Sequence, residues 1–392
     1  MSQTEQAHRY SETEEQQALR SAVADFAAKY GSGYWLEKAR AGERTTELWA
    51  EAGALGYLGA NIPEEYGGGG GGIAELAIVC EELAAAGCPL LMIVVSPAIA
   101  GTIIAQSGTD EQRTAWLPGL ADGTAKLAFA ITEPDAGTNS HNLATVARRD
   151  NGGWILNGRK TYISGVDESD AVLVVGRSED ERNGRLRPAL FIVPRDTPGF
   201  EWKPIEMDVT APEVQFACFF DDVKLPAEAL VGGDVAGLDQ LFAGLNPERI
   251  TIAAYANGIA RYALKKAAAY DNERQVWDVP IGAHQGVSHP LAEAAIQVEL
   301  ARLVTSKAAA LHDAGEGKAA GEAANMAKLA SADAALLALD RAIQTHGGNG
   351  LASEYDLAAY WGVLRVARIA PVSREMILNY VAQHTLGLPR SY

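Results

Sequence analysis

Residues 129–139 read Phe-Ala-Ile-Thr-Glu-Pro-Asp-Ala-Gly-Thr-Asn, an apolar run that ends in small and polar residues. The run predicts a buried strand, and Pro134 with Gly137 predicts the turn after it. Thr132, Thr138 and several backbone amides would then face a ligand, because functional groups concentrate in loops held by a rigid strand. By residue pattern alone, a strand followed by a plain turn is the simpler interpretation.

The composition of the chain changes on both sides of this stretch. Residues 127–220 hold short apolar runs separated by Asn-Gly and Pro-Gly turns, which are typical of an antiparallel β domain. Apolar residues upstream recur at helical spacing, and alanine-rich stretches downstream favour long helices with short joints. The sequence therefore predicts an α+β chain of three domains: an all-helical domain over 1–126, a central antiparallel β domain over 127–235 and a C-terminal four-helix bundle over 236–392.

Charge and cysteine content narrow the possible partners and compartments. The 392 residues include 33 lysines and arginines against 50 aspartates and glutamates, a net charge of −17. We therefore expect neither nucleic acid nor an anionic membrane as a partner. Three cysteines are too few for a disulfide scaffold and match no metal spacing. The first 17 residues are polar and acidic, unlike a signal or transit peptide, so a cytoplasmic protein is expected.

Two further motifs combine glycines with polar groups. Residues 157–165, NGRKTYISG, begin with an Asn-Gly hairpin signal and place Tyr162 and Ser164 on one face of a strand. These two side chains could hold a planar heterocycle or simply pack. Residues 344–350, QTHGGNG, would let a phosphate or another chain approach the backbone closely, or would form a plain helix C-cap.

The fourth motif, Asn246-Pro-Glu-Arg249, has the residues of a helix start. Asn246 is a good N-cap, Pro247 suits the first helical position, and Glu248 is favourable near the positive end of the helix dipole. This structural interpretation needs no chemistry. The functional alternative makes Glu248 a general base with Arg249 beside it.

The order and spacing of the four motifs resemble those of the acyl-CoA dehydrogenase family, a family of flavoenzymes, along nearly the whole chain. LGYLGANIPEEYGGGG (55–70), ERQVWDVPIGAHQ (273–285) and a tail ending in LGLPRSY extend the resemblance. It implies FAD as the cofactor, α,β-dehydrogenation of an acyl-CoA thioester as the reaction, and an electron-transfer flavoprotein as the electron acceptor. The alternative is a family member with other chemistry: an acyl-CoA oxidase, a desulfinase, or an enzyme that acts on carrier-protein-bound acyl groups. A flavin-bound protein without enzymatic activity is more distant.

The resemblance also implies roles for individual residues. The residues that it assigns to FAD are Phe129, Ile131, Thr132, Gly137, Thr138, Tyr162, Ile163, Ser164, Arg274, Trp277, Gln285, Gln344, Gly347, Gly348 and Ser373. The residues that it assigns to the acyl-CoA are Thr138, Asn246 and Arg249. The segments 274–285 and 344–348 match a site at which one subunit holds the FAD of its neighbour, which implies a homotetramer.

The catalytic base is where the chain departs from most of the family. Most members carry a catalytic glutamate before the last helix, but the matching stretch 368–376, RIAPVSREM, has Pro371 at that position. Proline accepts no proton, and it lacks the N–H that usually binds the thioester carbonyl. A minority, including isovaleryl-CoA and long-chain acyl-CoA dehydrogenases, place the base on another helix directly before an arginine. The resemblance therefore assigns Glu248 as the base, with the Val372 amide or another amide replacing the lost donor.

Overall fold

The computed structural model describes residues 12–179, 184–233 and 238–390. The N-terminal part is helical, as predicted. Its α-helices are α1 (Glu14–Ala27), α2 (Gly31–Ala41), α3 (Thr46–Ala54), α4 (Ile73–Ala85), α5 (Leu91–Ile93), α6 (Thr102–Ser107) and α7 (Asp110–Asp122). A buried π-helical stretch, Val94–Gly101, joins α5 to α6. None of the helices among the described residues is long and apolar enough to cross a membrane.

A mixed sheet forms the centre of the chain. Its strands are β1 (Leu127–Ala130), β2 (Val146–Asp150), β3 (Gly153–Ser164), β4 (Ala171–Glu179), β5 (Leu186–Pro194), β6 (Phe200–Ile205) and β7 (Gln215–Leu225). Strand β4 pairs in parallel with β1 and β2, whereas β5 pairs antiparallel with β4. The prediction of a β domain is confirmed, but its purely antiparallel form is wrong. The turn residues in the sequence indicate hairpins, and hairpins join antiparallel strands. Strand β1 is instead connected to β2 by a long loop, which allows both strands to lie parallel to β4 on either side of it.

The two Asn-Gly pairs have different roles. The β2–β3 hairpin turns at Asn151 and Gly152, whose φ angles of 47° and 84° suit a primed turn. The predicted hairpin at Asn157-Gly158 is wrong, because these residues lie inside β3 at an irregularity in its pairing with β7. A side chain at Gly158 would meet Oγ1 of Thr145 at 2.3 Å, so close packing rather than a turn requires this glycine. The predicted turn at Asn183 lies outside the described residues.

The C-terminal part is a bundle of three long helices and two short ones among the described residues. The helices are α8 (Leu238–Glu273), α9 (Gln285–Asp313), α10 (Gly317–His346), α11 (Tyr360–Ile369) and α12 (Arg374–Tyr380). Strands β8 (Gln275–Val276) and β9 (Val279–Pro280) form a small hairpin between α8 and α9. The predicted boundary between residues 235 and 236 lies outside the described residues.

The prediction that Asn246 caps the start of a helix is wrong. Helix α8 is already formed at Leu238, so the Asn246–Arg249 motif lies in its interior and Pro247 is an internal helix residue. The buried Leu241 shows the reason, since burial of an apolar side chain ahead of the motif extends the helix upstream. The oxygen of the Asn246 side chain accepts a hydrogen bond from Nη1 of Arg249 at 3.0 Å instead of capping the backbone.

The glycine run Gly67–Gly72 is held in place, although the sequence favours a plain flexible connector. The amides of Gly69, Gly70 and Gly71 donate to the carbonyls of Gly59, Ile62 and Ala60 at 2.9–3.0 Å. A side chain at Gly68 would meet the Ile62 carbonyl oxygen at 2.0 Å. The run therefore packs against the segment before it as a defined loop.

Buried charges tie the N-terminal helices to the bundle. Glu81 and Glu82 of α4 face Arg20 of α1, Arg261 of α8 and Arg302 of α9, a group that we call the arginine cluster. Nη1 of Arg261 lies 2.8 Å from Oε1 of Glu81, and Nε of Arg302 lies 2.7 Å from the same oxygen. The cluster therefore connects four helices from both ends of the chain.

Candidate active site

The first two motifs lie side by side. Strand β1 is fully buried, and the turn after it is closed by hydrogen bonds of 3.2 Å between the backbones of Glu133 and Ala136. The Thr161 amide donates to the Thr132 carbonyl at 3.0 Å. Nζ of the fully buried Lys160 donates to the Ile131 carbonyl and to Oε1 of Glu133, each at 2.8 Å. A buried ion pair thus fixes the backbone at Ile131 and Thr132.

An exposed aromatic ring stands beside this fixed backbone. Tyr162 has a φ of 58° at an irregularity of β3, which interrupts the alternation predicted for Tyr162 and Ser164 and leaves the Tyr162 side chain 59% exposed. Phe129 and Ile163 are buried, whereas Ser164 is half-buried and exchanges hydrogen bonds with the Gln215 amide. Gly137 and Thr138 are exposed, and nothing lies within 4 Å of a Cβ added at Gly137.

The second group of predicted residues lies at the C-terminal end of α8. Oγ1 of Thr345 donates to the Asp271 carboxylate at 2.7 Å, and the His346 ring stacks on Tyr270 at 4.2 Å. These contacts bring the segments 274–285 and 344–348 together. Arg274, Gln285, Gln344, Gly347 and Gly348 are all exposed there, and a Cβ added at either glycine would meet nothing within 4 Å.

Trp277 stands at the tip of the β8–β9 hairpin and is 83% exposed. Trp277 and Asp278 have φ angles of 52° and 63°, so they form the two-residue turn without a glycine. At this end of α8, Trp277 contacts His284, Thr345 contacts Asp271, and His346 stacks on Tyr270. Among the described residues, none of these contacts reaches Thr132 or Tyr162, so no direct contact joins the two groups of predicted residues within one subunit.

Glu248 occupies an unusual electrostatic environment. Its side chain is half-buried in the first third of α8, and its carboxylate makes no hydrogen bond or ion pair to the described residues. Desolvation by burial raises the pKa of Glu248 to about 7, although the nearby Arg249 and Lys328 charges act in the opposite direction. A carboxylate with a pKa near neutrality is suited to accept a proton.

The link between α11 and α12 faces the same region. Lys328 of α10, 1% exposed, donates from Nζ to the carbonyls of Arg368 and Val372 at 3.0 and 2.7 Å. The predicted FAD residue Ser373 caps α12, because its Oγ accepts from the Met376 amide at 3.3 Å. Pro371 lies between the two carbonyls that Lys328 holds. Lys328 therefore lies beside Pro371, and its charge also acts on Glu248.

A cavity of about 800 Å³ lies elsewhere, between α1, the glycine run, α4 and α9. None of the predicted site residues lines it. Its polar lining includes Arg20 and Arg302, which are already paired with glutamates of the arginine cluster. The cavity is therefore separate from the candidate active site.

Sequence reasoning missed Lys328 and Glu213. Lys328 shares a helical stripe with the buried Ala324, Ser331 and Ala335, so a lysine within an apolar stripe was the available signal. Glu213 lies in an irregular segment before β7 and accepts a hydrogen bond from the Leu91 amide at 3.0 Å. Desolvation by burial, followed by the charge of Glu168, raises the pKa of Glu213 to about 7. No sequence pattern points to Glu213.

Sequence profiles of one family cover almost the whole chain in the same three parts. The N-terminal, middle and C-terminal domains of acyl-CoA dehydrogenase match residues 13–124, 128–223 and 236–386. The chain is 62% identical to the acyl-CoA dehydrogenase FadE12 of Mycobacterium tuberculosis over 381 residues, which is 97% of this chain and 98% of the relative. The chain belongs to the acyl-CoA dehydrogenase family. Membership confirms the expectation of an FAD-dependent oxidoreductase with helical, β and helical parts.

Solved structures of the family share the fold along the whole chain. Butyryl-CoA dehydrogenase from Megasphaera elsdenii has a TM-score of 0.89 at 30% identity, covering 96% of this chain and 99% of that one. A glutaryl-CoA dehydrogenase from Mycobacterium smegmatis in complex with FADH2 has a TM-score of 0.88 at 27% identity, covering 97% and 96%. The acyl groups of these two relatives differ, so the shared fold leaves the acyl group of this acyl-CoA dehydrogenase open.

Proposed function

We propose that the chain catalyses FAD-dependent α,β-dehydrogenation of an acyl-CoA thioester, with Glu248 as the catalytic base. The observation that carries this proposal is the Glu248 carboxylate, which is desolvated and has no hydrogen-bond partner among the described residues. A base of this kind belongs to the minority of the family in which the glutamate lies on a bundle helix before an arginine. Pro371 at the usual position supports the same assignment, because proline accepts no proton.

The reaction removes two hydrogens from adjacent carbons. The Glu248 carboxylate takes the pro-R proton from the α-carbon, and the electron pair of that C–H bond becomes the new double bond. The β-carbon releases a hydride in the same process. FAD, when bound, supplies the acceptor of that hydride. The pKa of about 7 lets Glu248 take a proton near neutral pH without binding it irreversibly.

The α-proton of a thioester is a weak acid, so its removal requires a donor that stabilises the developing charge on the carbonyl oxygen. The Val372 amide makes no hydrogen bond to the described residues, whereas the Val372 carbonyl is held by Lys328. We assign the Val372 N–H as the replacement for the donor missing at Pro371. The bond from Lys328 to the Val372 carbonyl would hold the following peptide unit, Val372–Ser373, and the bond to the Arg368 carbonyl would hold the chain before Pro371, so the link that carries the Val372 N–H is anchored on both sides.

FAD fits the residues that this structure leaves open. The half-buried Thr132 and the exposed Tyr162 ring provide a hydroxyl and an aromatic face, and open space at Gly137 admits a ligand close to the backbone. The exposed guanidinium of Arg274 is suited to a pyrophosphate. Arg274→Ala should weaken FAD retention about tenfold, since a hydrogen bond to a charged group contributes roughly 1.5 kcal/mol or more. Unchanged FAD affinity, measured by equilibrium dialysis, would remove Arg274 from the cofactor site.

A homotetramer would unite the two groups of FAD residues, which stay apart within one subunit. An apolar stripe on α9 supports an assembly: Ile296, Leu300 and Leu303 lie on one helix face and are 59%, 55% and 52% exposed. The exposed Trp277 would then contact a neighbouring subunit. Sedimentation of the FAD-loaded protein tests the assembly, and a monomer that retains FAD would contradict it.

We infer that the electrons leave the enzyme to an electron-transfer flavoprotein. Turnover that requires such an acceptor, with slow reoxidation by oxygen alone, would support this partner. Steady turnover with oxygen alone would favour an acyl-CoA oxidase instead.

The deciding experiment is flavin reduction by a panel of acyl-CoA thioesters under anaerobic conditions. Glu248→Gln should retain FAD and thioester binding but lower the rate constant of flavin reduction by about 10²–10⁴. Glu213→Gln is the matched control, because Glu213 is buried and its pKa is raised like that of Glu248, yet it lies outside the assigned base position. Reduction by the Glu248→Gln variant at the wild-type rate would overturn the assignment and direct the search to Glu375 or Glu206.

A further inference from the structure

Lys328 is a buried cation whose charge the proposed reaction does not yet use. It lies on the bundle-facing side of α10 and is 1% exposed. Its two hydrogen bonds go to the Arg368 and Val372 carbonyls, on either side of Pro371. Two N–H groups suffice for these bonds, whereas an ammonium has three. The positive charge is therefore not required to hold the link between α11 and α12.

The link is also anchored by a second, more exposed group. Asp333 of α10 lies 3.0 Å from Nε of Arg368 and 3.4 Å from Nε of Arg374, on both sides of Pro371. These ion pairs hold the ends of the link against α10. Lys328 thus adds to an anchor that already exists, but unlike Asp333 it is buried, and Glu248 acts on its charge.

Few charges face the proposed base. Arg249, on its own helix, and Lys328, on α10, are the charged groups that act on Glu248 within the described chain. Lys328 in turn is affected by Glu248, Arg249, Asp333 and Arg368. Burial lowers the pKa of Lys328 to about 8, although Glu248 favours its charged form. Lys328 therefore keeps its positive charge below about pH 8, over the pH range in which Glu248 loses its proton.

We propose that Lys328 is a positioning residue for the dehydrogenation, which anchors the link between α11 and α12 on both sides of Pro371 and uses its ammonium to keep the Glu248 carboxylate ionised. This inference rests on the proposed function, since it takes Glu248 as the base. The contact with the Val372 carbonyl and the charge toward Glu248 come from one atom, Nζ. One side chain thus connects the link that carries the proposed N–H donor with the proposed base.

Removing the charge should change the pH at which the base works. Glu248 acts only when it is deprotonated, so the rate of flavin reduction falls as the pH drops through its pKa. A nearby positive charge lowers the pKa of a carboxyl group, so the loss of Lys328 should raise it. In Lys328→Met the acidic limb of the reduction rate should move to higher pH by about one unit. Lys328→Arg keeps the charge and should leave the limb in place.

A lysine that lies elsewhere provides the matched control. Lys266 of α8 donates to the Tyr355 carbonyl at 2.8 Å, a bond of the same type that does not involve Glu248. Lys266→Met should therefore leave the acidic limb unchanged even if it lowers the unfolding temperature. Lys328→Gln removes the charge but still has an amide that donates to carbonyls, so it serves wherever Lys328→Met does not fold.

The outcome is measured in two ways. Stopped-flow reduction gives the acidic limb, and difference infrared spectra give the protonated-carboxyl band of Glu248, assigned by its absence in Glu248→Gln. The proposal would be overturned if, in Lys328→Met or Lys328→Gln, the reduction rate falls and the protonated-carboxyl band appears at the same pH as in the wild type. Flavin reduction at the wild-type rate in Glu248→Gln would instead overturn the proposed base, so the two failures are distinguishable.

Discussion

Glu81 and Glu248 lie on neighbouring helices of one core, yet their environments shift their pKa values in opposite directions. Burial by itself would raise the pKa of Glu81, but Arg20, Arg302 and Arg261 outweigh it and lower the pKa. For Glu248, burial outweighs the charges nearby and raises the pKa to about 7. The depth of burial is therefore a poor guide to the role of a carboxylate. The two carboxylates differ in their ion pairs: Glu81 is paired with arginines, whereas Glu248 has no ion pair among the described residues.

The arginine cluster shows what pairing achieves. Three guanidiniums from three helices surround the two glutamates of α4, so the charges compensate one another and position the helices. Glu248 lacks this compensation, and part of the stability of the fold is lost there. Strongly perturbed, unpaired carboxylates are concentrated at functional sites, which is the physical reason for treating Glu248 differently from Glu81.

The largest effect that tests this comparison is on stability. Glu81→Gln should lower the free energy of unfolding by about 3 kcal/mol, because it removes one of the two buried carboxylates that compensate the three guanidiniums. The rate of flavin reduction in the folded protein should not change. Denaturant unfolding and stopped-flow reduction of the same preparation measure both quantities. A loss of reduction with intact stability would show that the arginine cluster is not merely structural.

Glu248→Gln should have the reverse effect on stability, and its size should depend on pH. The folded-state pKa of about 7 lies above the ordinary value of 4.5, so ionised Glu248 destabilises the fold. This cost is absent below about pH 4.5, grows between 4.5 and 7, and is complete above pH 7. The Gln variant should therefore be more stable than the wild type above pH 7 by roughly 3 kcal/mol.

Unfolding of both proteins in the same excess of FAD, from pH 5 to pH 8, measures this difference. A gap that stays constant over the whole range would mean that Glu248 does not titrate where its environment indicates. A variant that is less stable than the wild type at pH 8 would show that the carboxylate has a stabilising partner.

The smallest effect is expected from an exposed carboxylate that lies beside the arginine cluster. Glu299 is 59% exposed, and its Oε2 lies 2.9 Å from Nη1 of Arg302, the same arginine that pairs with Glu81. Glu299→Gln should change the free energy of unfolding by less than about 1 kcal/mol, because solvent weakens exposed ion pairs. If Glu299→Gln lowered the free energy of unfolding as much as Glu81→Gln in the same assay, burial would not be what makes an ion pair of this cluster stabilising.

The sequence predicted the helices and strands because their signals are local. Val23 and Phe26 recur at helical spacing, and both are buried in α1. The alanine-rich stretches likewise became α8, α9 and α10. Apolar spacing is a property of one buried face, so it can be recognised without knowing what covers that face.

The wrong predictions came from sequence motifs that are compatible with two different local structures. Asn151-Gly152 and Asn157-Gly158 contain the same two residues, yet only the first forms a turn. The second is decided by contact with Thr145, which no local pattern contains. Similarly, Asn246 and Pro247 are residues that are typical of a helix start, but helix α8 begins farther upstream, where Leu241 is buried.

The candidate site was predictable in its residues but not in its electrostatics. The resemblance to a family pointed to Glu248, because a glutamate directly before an arginine can be recognised in the sequence. The isolation of its carboxylate and the approach of Lys328 depend on the packing of α8 against α10. Residues that are far apart in the chain supply that environment, so a sequence motif does not contain it.

The glycine run has a consequence for how its length can vary. Six identical residues look interchangeable, but the amides of Gly69, Gly70 and Gly71 each bond to a different carbonyl, those of Gly59, Ile62 and Ala60. Insertion or deletion of one glycine would leave the composition almost unchanged and would shift every later amide by one partner. The run is therefore repetitive in sequence but fixed in length, because its hydrogen bonds require a set number of glycines.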